Sequence, residues 1–254
     1  MERFTIFDAS EEQAQEELLL FFLLECIEAN RRARLEGQML KPDGQPGNHM
    51  VSEQIITRGI EDRRVIEAMR SVPRHRFVEK RFEGKAYKDT PLPIGYHQTI
   101  SQPYIVAYMC ERLGLSESSN VLEIGTGCGY QAAVLATIAR SVVSLEIVRP
   151  LHARAKRLLE ELGYRNVTCI AGDGAMGAPE FAPYDAIIAA AAAPLVPNVL
   201  DQLCDGGRAV FPIDSGNGYQ ELVLFVRNGA SVDRHHLIPV RFVPMTGMIR
   251  RTHT

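Results

Sequence analysis

The chain of 254 residues carries a formal net charge of −3, with 46% hydrophobic and 23% charged residues. That length holds one large α/β domain with an appendage or two small domains, and the near-neutral balance gives no footing for general nucleic-acid binding. The scattered cysteines Cys26, Cys110, Cys128, Cys169 and Cys204 form no C-x-x-C pair. This argues against a zinc site or a disulfide framework and for buried thiols in a reducing compartment.

Ser10 to Glu36 combines helix formers, a Ser10 cap with Gln13 three residues on, and an apolar stretch, so a helix is expected there. Its most apolar part, Leu18 to Leu24, is too short to span a bilayer and is preceded by acids rather than a basic leader. A soluble, cytoplasmic chain without a membrane partner is therefore expected. Lys41-Pro-Asp-Gly-Gln-Pro-Gly47 reads as a linker. Residues 1–49 are thus expected to form an N-terminal helical extension and linker, and residues 50–254 the main domain. The extension could dock on that domain, hold a partner or make an oligomer contact; a monomer is the expected state.

Two short helical patterns fill Met50 to Phe82, the second opening near Glu61 or Asp62 and ending before Pro73. A loop rich in Pro and Gly, Thr90 to Pro103, leads into a helix over Tyr104 to Leu113. The chain then alternates. Strand Val121 to Ile124 feeds helix Tyr130 to Ala139, strand Val142 to Ile147 feeds helix Pro150 to Leu162, and strand Val167 to Ala171 leads into a loop. Strand Tyr184 to Ala189 precedes helix Val196 to Leu203, and strand Arg208 to Pro212 follows the turn Asp205-Gly-Gly207. Such alternation calls for a parallel sheet with helices on both faces and a ligand outside the carboxyl ends of the strands. Glu221 to Val226 and His236 to Val243, with no helix between them, suggest an antiparallel edge.

Val121-Leu-Glu-Ile-Gly-Thr-Gly-Cys-Gly-Tyr130 joins a buried-strand pattern to a glycine turn and a helix, as nucleotide-type cofactor sites of doubly wound proteins do. Gly125, Gly127 and Gly129, with Thr126 between the first two, let a ligand approach the main chain. Glu146, with Ile147 beside it, stands nineteen residues past Gly127 and is placed to accept from ribose hydroxyls. The G-x-G-x-G spacing departs from the dinucleotide pattern, and Glu123 would make the mouth of the turn negative. Both favour the cation S-adenosyl-L-methionine over a pyrophosphate, with a nicotinamide site or a turn without ligand as the alternatives. Asp173, followed by Gly174, is placed either to accept from the adenine amine or simply to form a turn. Cys128 reads as lining the site, and the small side chains of Ala189 to Ala193 would admit a ligand or helix.

In Pro91-Leu-Pro-Ile-Gly-Tyr-His-Gln-Thr-Ile-Ser-Gln-Pro103, Ser101 has two readings. It could cap the following helix, or Thr99 and Ser101 could offer hydroxyls and backbone N–H groups to a carboxylate. No G-x-S-x-G or H-E-x-x-H occurs, and His235-His236 would face opposite ways on a strand, so neither a serine hydrolase nor a metal site is expected. His97 reads as an exposed loop residue.

Together with the glycine motif, Val72-Pro-Arg-His-Arg-Phe-Val78, Leu92-Pro-Ile-Gly95, Gln98-Thr-Ile-Ser-Gln-Pro103, Gly172-Asp-Gly174, Tyr184-Asp-Ala-Ile-Ile188 and Val240-Arg-Phe-Val-Pro244 resemble the protein-L-isoaspartate (D-aspartate) O-methyltransferase family. The likeness runs from about Ser52 to Gly247. Many methyltransferases share the glycine motif, whereas Q-T-I-S-Q-P and V-R-F-V-P are specific to this family. The resemblance implies a class I S-adenosylmethionine-dependent, Rossmann-like α/β fold: a doubly wound, mostly parallel sheet with an antiparallel C-terminal edge in an unusual strand order. It implies Ser101 as the active-site serine, Thr99 and Ile100 framing the site, Glu146 on ribose, Asp173 on adenine and Thr246 at the methionine end, although Met245 stands where leucine is common. The expected cofactor set is therefore Ile100, Glu123, Gly125, Thr126, Gly127, Gly129, Glu146, Ile147, Asp173, Gly174 and Thr246, with Ser101 and Thr99 catalytic and no metal. The implied substrates are isoaspartyl proteins and peptides, esterified on the free carboxylate to begin repair through a succinimide. His97, where glycine is common, and Ala189-Ala190, where threonine often appears, would alter the substrate rim. Two other readings are an aspartyl O-methyltransferase for a dedicated peptide partner and a cofactor-binding module without turnover.

Overall fold

The computed structural model describes residues 46–194, 198–214 and 219–247. The helix expected over Ser10 to Glu36 and most of the linker lie outside the described residues. Helix α1 (Pro46–Met50) runs on through a wide helical turn, Val51–Ile55, and a tight one, Ile56–Arg58. Met50, Val51 and Ile55 are fully buried and join the core. Asp62 caps α2 (Arg63–Ser71) by accepting from the Arg64 N–H at 2.9 Å, and Val65, Ala68 and Met69 make its buried stripe.

The loop expected between Thr90 and Pro103 is largely a hairpin, in which β1 (Leu92–Gly95) pairs antiparallel with β2 (Gln98–Ile100). Tyr96 and His97 form its turn with φ of 53° and 58°. Those left-handed angles belong to a type I′ turn, which normally draws Asn-Gly. Burial of Leu92, Ile94 and Ile100 anchors the hairpin to the core. Helix α3 (Pro103–Leu113) follows at once, with its proline in the first turn where no N–H is needed.

The sheet is built from β3 (Asn120–Ile124), β4 (Ser141–Glu146), β5 (Val167–Ala171), β6 (Tyr184–Ala189), β7 (Leu203–Asp214), β8 (Gln220–Asn228) and β9 (Ser231–Val240). Helix α4 (Tyr130–Ile138) follows β3, and α5 (Arg149–Glu161) follows β4. Spatial order is β5-β4-β3-β6-β7-β8-β9; the first five strands in that order are parallel and the last two antiparallel. The C-terminal edge is therefore a meander in chain order. Side chains alternate through the sheet as the period-2 pleat requires. Val121, Ala186 and Ile188 join the core beneath α2 to α5, while Leu122, Ile124, Ile187 and Phe211 build the core on the other face. That second face is covered, among the described residues, by short 3₁₀ turns at Gly174–Met176, Pro179–Phe181 and Asn198–Gln202.

Three expectations are corrected here. In place of a helix over Val196 to Leu203 there is the 3₁₀ turn Asn198–Gln202, and Leu203 already belongs to β7. The turn Asp205-Gly-Gly207 is absorbed into β7 as an irregularity: Gly206 takes φ of 74°, and a Cβ on Gly207 would stand 2.8 Å from the Cys204 carbonyl oxygen. The last strand spans Ser231 to Val240 rather than His236 to Val243, because a tight hairpin at Gly229 and Ala230 starts it early.

Candidate active site

From β3 the chain winds outward through β4 and β5, then returns to the other side of β3 as β6. The order thus reverses between β3 and β6, and a cleft opens outside their carboxyl ends. The turn after β3 contributes Gly125 and Gly127, the end of β4 contributes Glu146, Ile147 and Val148, and the end of β6 contributes Ala190 and Ala191. Gly174 lines the wall beyond β5. Gly125 takes φ of 96°, and a Cβ there would meet that of Ala190 at 3.4 Å. Small residues on both sides thus keep the cleft open between the two central strands.

Glu146 is the charged group of this cleft. Its Oε2 accepts from the Gly127 N–H and its Oε1 from the Val148 N–H, both at 2.8 Å. These bonds tie the glycine turn to the end of β4 and leave one lone pair on each oxygen for a ligand diol. No Lys, Arg or His lines the cleft among the described residues.

Other expected residues lie elsewhere. Glu123, placed by the sequence at the mouth of the turn, is fully buried within the sheet and does not line the cleft. Burial pushes its carboxyl up to about 8, against the opposing pull of the Ser144 hydroxyl that donates to it. Burial thus favours its neutral form, and it supplies no negative mouth. Thr126 is buried too, its hydroxyl 2.5 Å from that of Ser144. Gly129 serves packing: a Cβ there would stand 3.2 Å from Leu159 on α5. Ile100 is a core residue, 3% exposed, paired with Leu92. Cys128 is buried behind the turn rather than lining the cleft, and desolvation raises its thiol to about 11. Asp173 caps the turn Gly174–Met176 by accepting from the Ala175 N–H at 2.9 Å. Gly247 packs against its carboxylate, which brings the C-terminal segment to the same end of the sheet.

The rest of the cleft is assembled from two distant segments. Gln98 and Thr99 of β2 line it together with Val243, Pro244, Met245 and Thr246. The latter segment is held there by reciprocal backbone bonds of 2.8 Å, Ala192 N–H to the Val243 carbonyl and Met245 N–H to the Ala192 carbonyl. Ser101 lies just past β2 and is not among the cleft-lining residues. Its helix-cap reading falls, because Gln102 is the N-cap residue of α3 and no side chain caps that end. Among the described residues, the Ser101 hydroxyl makes no hydrogen bond, whereas its carbonyl accepts from Arg74 at 2.7 Å. The contributions of Val243, Pro244 and Met245 were not assigned from sequence, since Val243 read as the end of a strand and the other two entered only through the family likeness. Two prolines within six residues, Pro239 and Pro244, were the available sign that pairing ends early.

A parallel sheet with this switch point, a glycine turn after its central strand and a carboxylate at the end of the next define a class I, Rossmann-like methyltransferase fold. The chain matches the family described as protein-L-isoaspartate(D-aspartate) O-methyltransferase over residues 45–250, and it belongs to that family. It is 55% identical over 203 residues to the protein-L-isoaspartate O-methyltransferase of Synechococcus sp. (strain JA-2-3B'a(2-13)), covering 77% of this chain and 83% of that one. A solved protein-L-isoaspartate O-methyltransferase, 33% identical, superposes with a TM-score of 0.71 over 76% of this chain and 64% of its own. The fold is shared with a Plasmodium falciparum structure described as a putative protein-L-isoaspartate O-methyltransferase in complex with S-adenosyl-L-homocysteine, 23% identical, TM-score 0.70, covering 80% and 99% of the two chains.

Proposed function

We infer that this chain transfers the methyl group of S-adenosyl-L-methionine to the free carboxylate of L-isoaspartyl residues in proteins and peptides. The observation that carries the cofactor reading is a cleft holding one carboxylate and, among its described lining residues, no basic side chain. Such a site offers a pyrophosphate no cationic side chain and suits a cationic sulfonium with an adenosine. When bound, adenosylmethionine supplies an electrophilic methyl group on that sulfonium. Glu146 would accept from the ribose hydroxyls, Ile147 and Met245 would offer apolar surface, and Gly125, Gly127 and Gly174 would let the ligand lie close to the backbone. Asp173 and Thr246 would complete the site at the adenine and methionine ends.

The acceptor needs no general base. A carboxylate of pKa near 4 is ionised at pH 7 and is itself the nucleophile. Thr99, at the rim, and Ser101, its hydroxyl uncommitted among the described residues, would donate to that carboxylate and orient it. Rate then comes from positioning and from excluding water, for which about 7–11 kcal/mol is available in favourable geometry. The methyl ester closes to a succinimide without further help, and ring opening returns part of the material as normal aspartate. Cys110, Cys128, Cys169 and Cys204 are free, which fits a reducing compartment such as the cytoplasm. No described helix is long and apolar enough to cross a membrane. The direct test is transfer of a labelled methyl group to an isoaspartyl peptide as a base-labile ester; absence of transfer by the folded protein contradicts the reading.

A further inference from the structure

Arg74 has 0% exposure, and no carboxylate stands at ion-pair distance from it among the described residues. Asp89, an acid whose field reaches it, is committed to Arg58, the Gln102 side chain and the Tyr104 N–H. The guanidinium instead donates from Nε to the Ala86 carbonyl and from Nη2 to the Ser101 carbonyl, both at 2.7 Å. It lies over the ring of Tyr130, 4.6 Å from the centroid, and the Tyr130 hydroxyl favours its charge, while Nη1 meets no geometric hydrogen-bond partner among the described residues. Tyr130 opens the helix that follows the glycine turn. One side chain therefore joins the acceptor segment to the cofactor segment and buries a positive charge beside Ser101. A buried cation without a counter-ion is costly and is seldom kept without a use. The anion this reaction must bring to Ser101 is the substrate carboxylate.

We propose that Arg74 is a positioning residue for the acceptor carboxylate: it fixes the Ser101 backbone against the Tyr130 ring, and its uncompensated charge favours an anionic acceptor over a neutral one at that place. This rests on the reading of Ser101 as part of the acceptor site. It separates recognition of the carboxylate, which has no basic residue in the described cleft wall, from the direct donors Thr99 and Ser101.

The test compares an isoaspartyl peptide with its isoasparaginyl twin, in which the carboxylate is a neutral amide that binds without reacting. The full chain and its Arg74→Gln and Arg74→Met variants are assayed for KM, kcat, inhibition by the twin, adenosylmethionine affinity and thermal midpoint. The neutral variants should raise KM for the isoaspartyl peptide about tenfold or more, while inhibition by the twin and cofactor affinity change less than about twofold. Equal weakening of both peptides, parallel loss of cofactor affinity, or an unchanged KM would overturn the proposal and leave Arg74 a packing residue. Arg74→Lys keeps the cation and carries the test if the neutral variants do not fold: kcat should fall with the preference for the carboxylate retained, and an unchanged kcat or a lost preference overturns it. Ser101→Ala and the unaltered chain in the same assay separate the two layers. Without turnover by the unaltered chain, or with full turnover by Ser101→Ala, the underlying site reading fails, whatever Arg74 does.

Discussion

Glu146 joins two tasks in one carboxylate, since it holds the Gly127 and Val148 amides and retains acceptor capacity toward the cleft, where the proposed reading places the ribose. Glu146→Ala should weaken adenosylmethionine binding by about 1.5–3 kcal/mol, the range of charge-assisted hydrogen bonds, and calorimetry on the folded variant measures it. Ser101→Ala should lower kcat far more than cofactor affinity and should barely move the melting temperature, because Ser101 does not cap α3. A melting loss equivalent to about 0.5–2 kcal/mol, as for a lost cap, would point the other way. Glu123 makes a prediction about pH. Its carboxyl, pushed up to about 8 in the fold, holds a proton that the unfolded chain releases near pH 4.3. The native state then binds more protons between these limits, so this group's contribution to stability is full below about pH 4 and is lost as pH rises toward 8. The slope approaches about 1.4 kcal/mol per pH unit. Glu123→Gln should flatten that stretch of the stability profile in denaturant titrations at pH 5, 6.5 and 8; an unchanged slope would mean the carboxyl is not buried neutral.

The β1–β2 hairpin places Thr99 on the cleft with a turn whose two central residues are Tyr96 and His97. Left-handed angles cost an L residue about 1–2 kcal/mol, so His97→Gly should stabilise the domain by about 1 kcal/mol and raise the melting point by about 2–4 °C. A lower melting point would show that the imidazole makes a stabilising contact. This element was not legible beforehand because His97 replaces the glycine that marks a type I′ turn, and because prolines at positions 91 and 93 read as loop. By contrast, β5 and β6 match their expected bounds residue for residue, and β3 within one. Central parallel strands covered on both faces, such as β3 and β6, declare themselves as short apolar runs, and the edge strand β5 reads as one too, although it is only half-buried. The same logic failed for β7, where Gly206 and Gly207 looked like a turn although a strand can pass through them as a bulge.

Across the whole molecule, the part of the cleft formed by a single turn and the next strand end was readable, whereas the rest depends on contacts across the chain. Thr99 was singled out by motif, but that Val243 to Thr246 line the same cleft follows only from the way the chain bridges at Ala192 and Pro244. Glu123 was misjudged because it lies within β3, beside Ser144, where its carboxyl is buried below the cleft rather than at the mouth of the turn, a depth that its proximity in sequence to Gly125 conceals. All the residues proposed for chemistry lie beyond Pro46, so a chain beginning at Pro42 should fold and methylate short isoaspartyl peptides with a kcat/KM within about threefold of the full protein, a difference of less than about 1 kcal/mol. Insoluble material would show that the first 41 residues complete the core.

The most direct test of the central claim is the ratio of kcat/KM for an isoaspartyl peptide to that for the same peptide with normal aspartate. In isoaspartate the free carboxylate is attached to Cα; in aspartate it hangs one methylene further out. A pocket distinguishes one methylene by only about 10- to 200-fold, but displacing the reacting oxygen by about 1 Å costs another hundredfold in positioning. Buried Ile94 and Ile100 anchor the hairpin that carries Thr99, and the prediction rests on that rim holding its place. A ratio of about one hundred or more in favour of isoaspartate is the predicted result. Similar values for both peptides, or reaction with aspartate alone, would contradict it and point to a methyltransferase for a dedicated aspartyl partner.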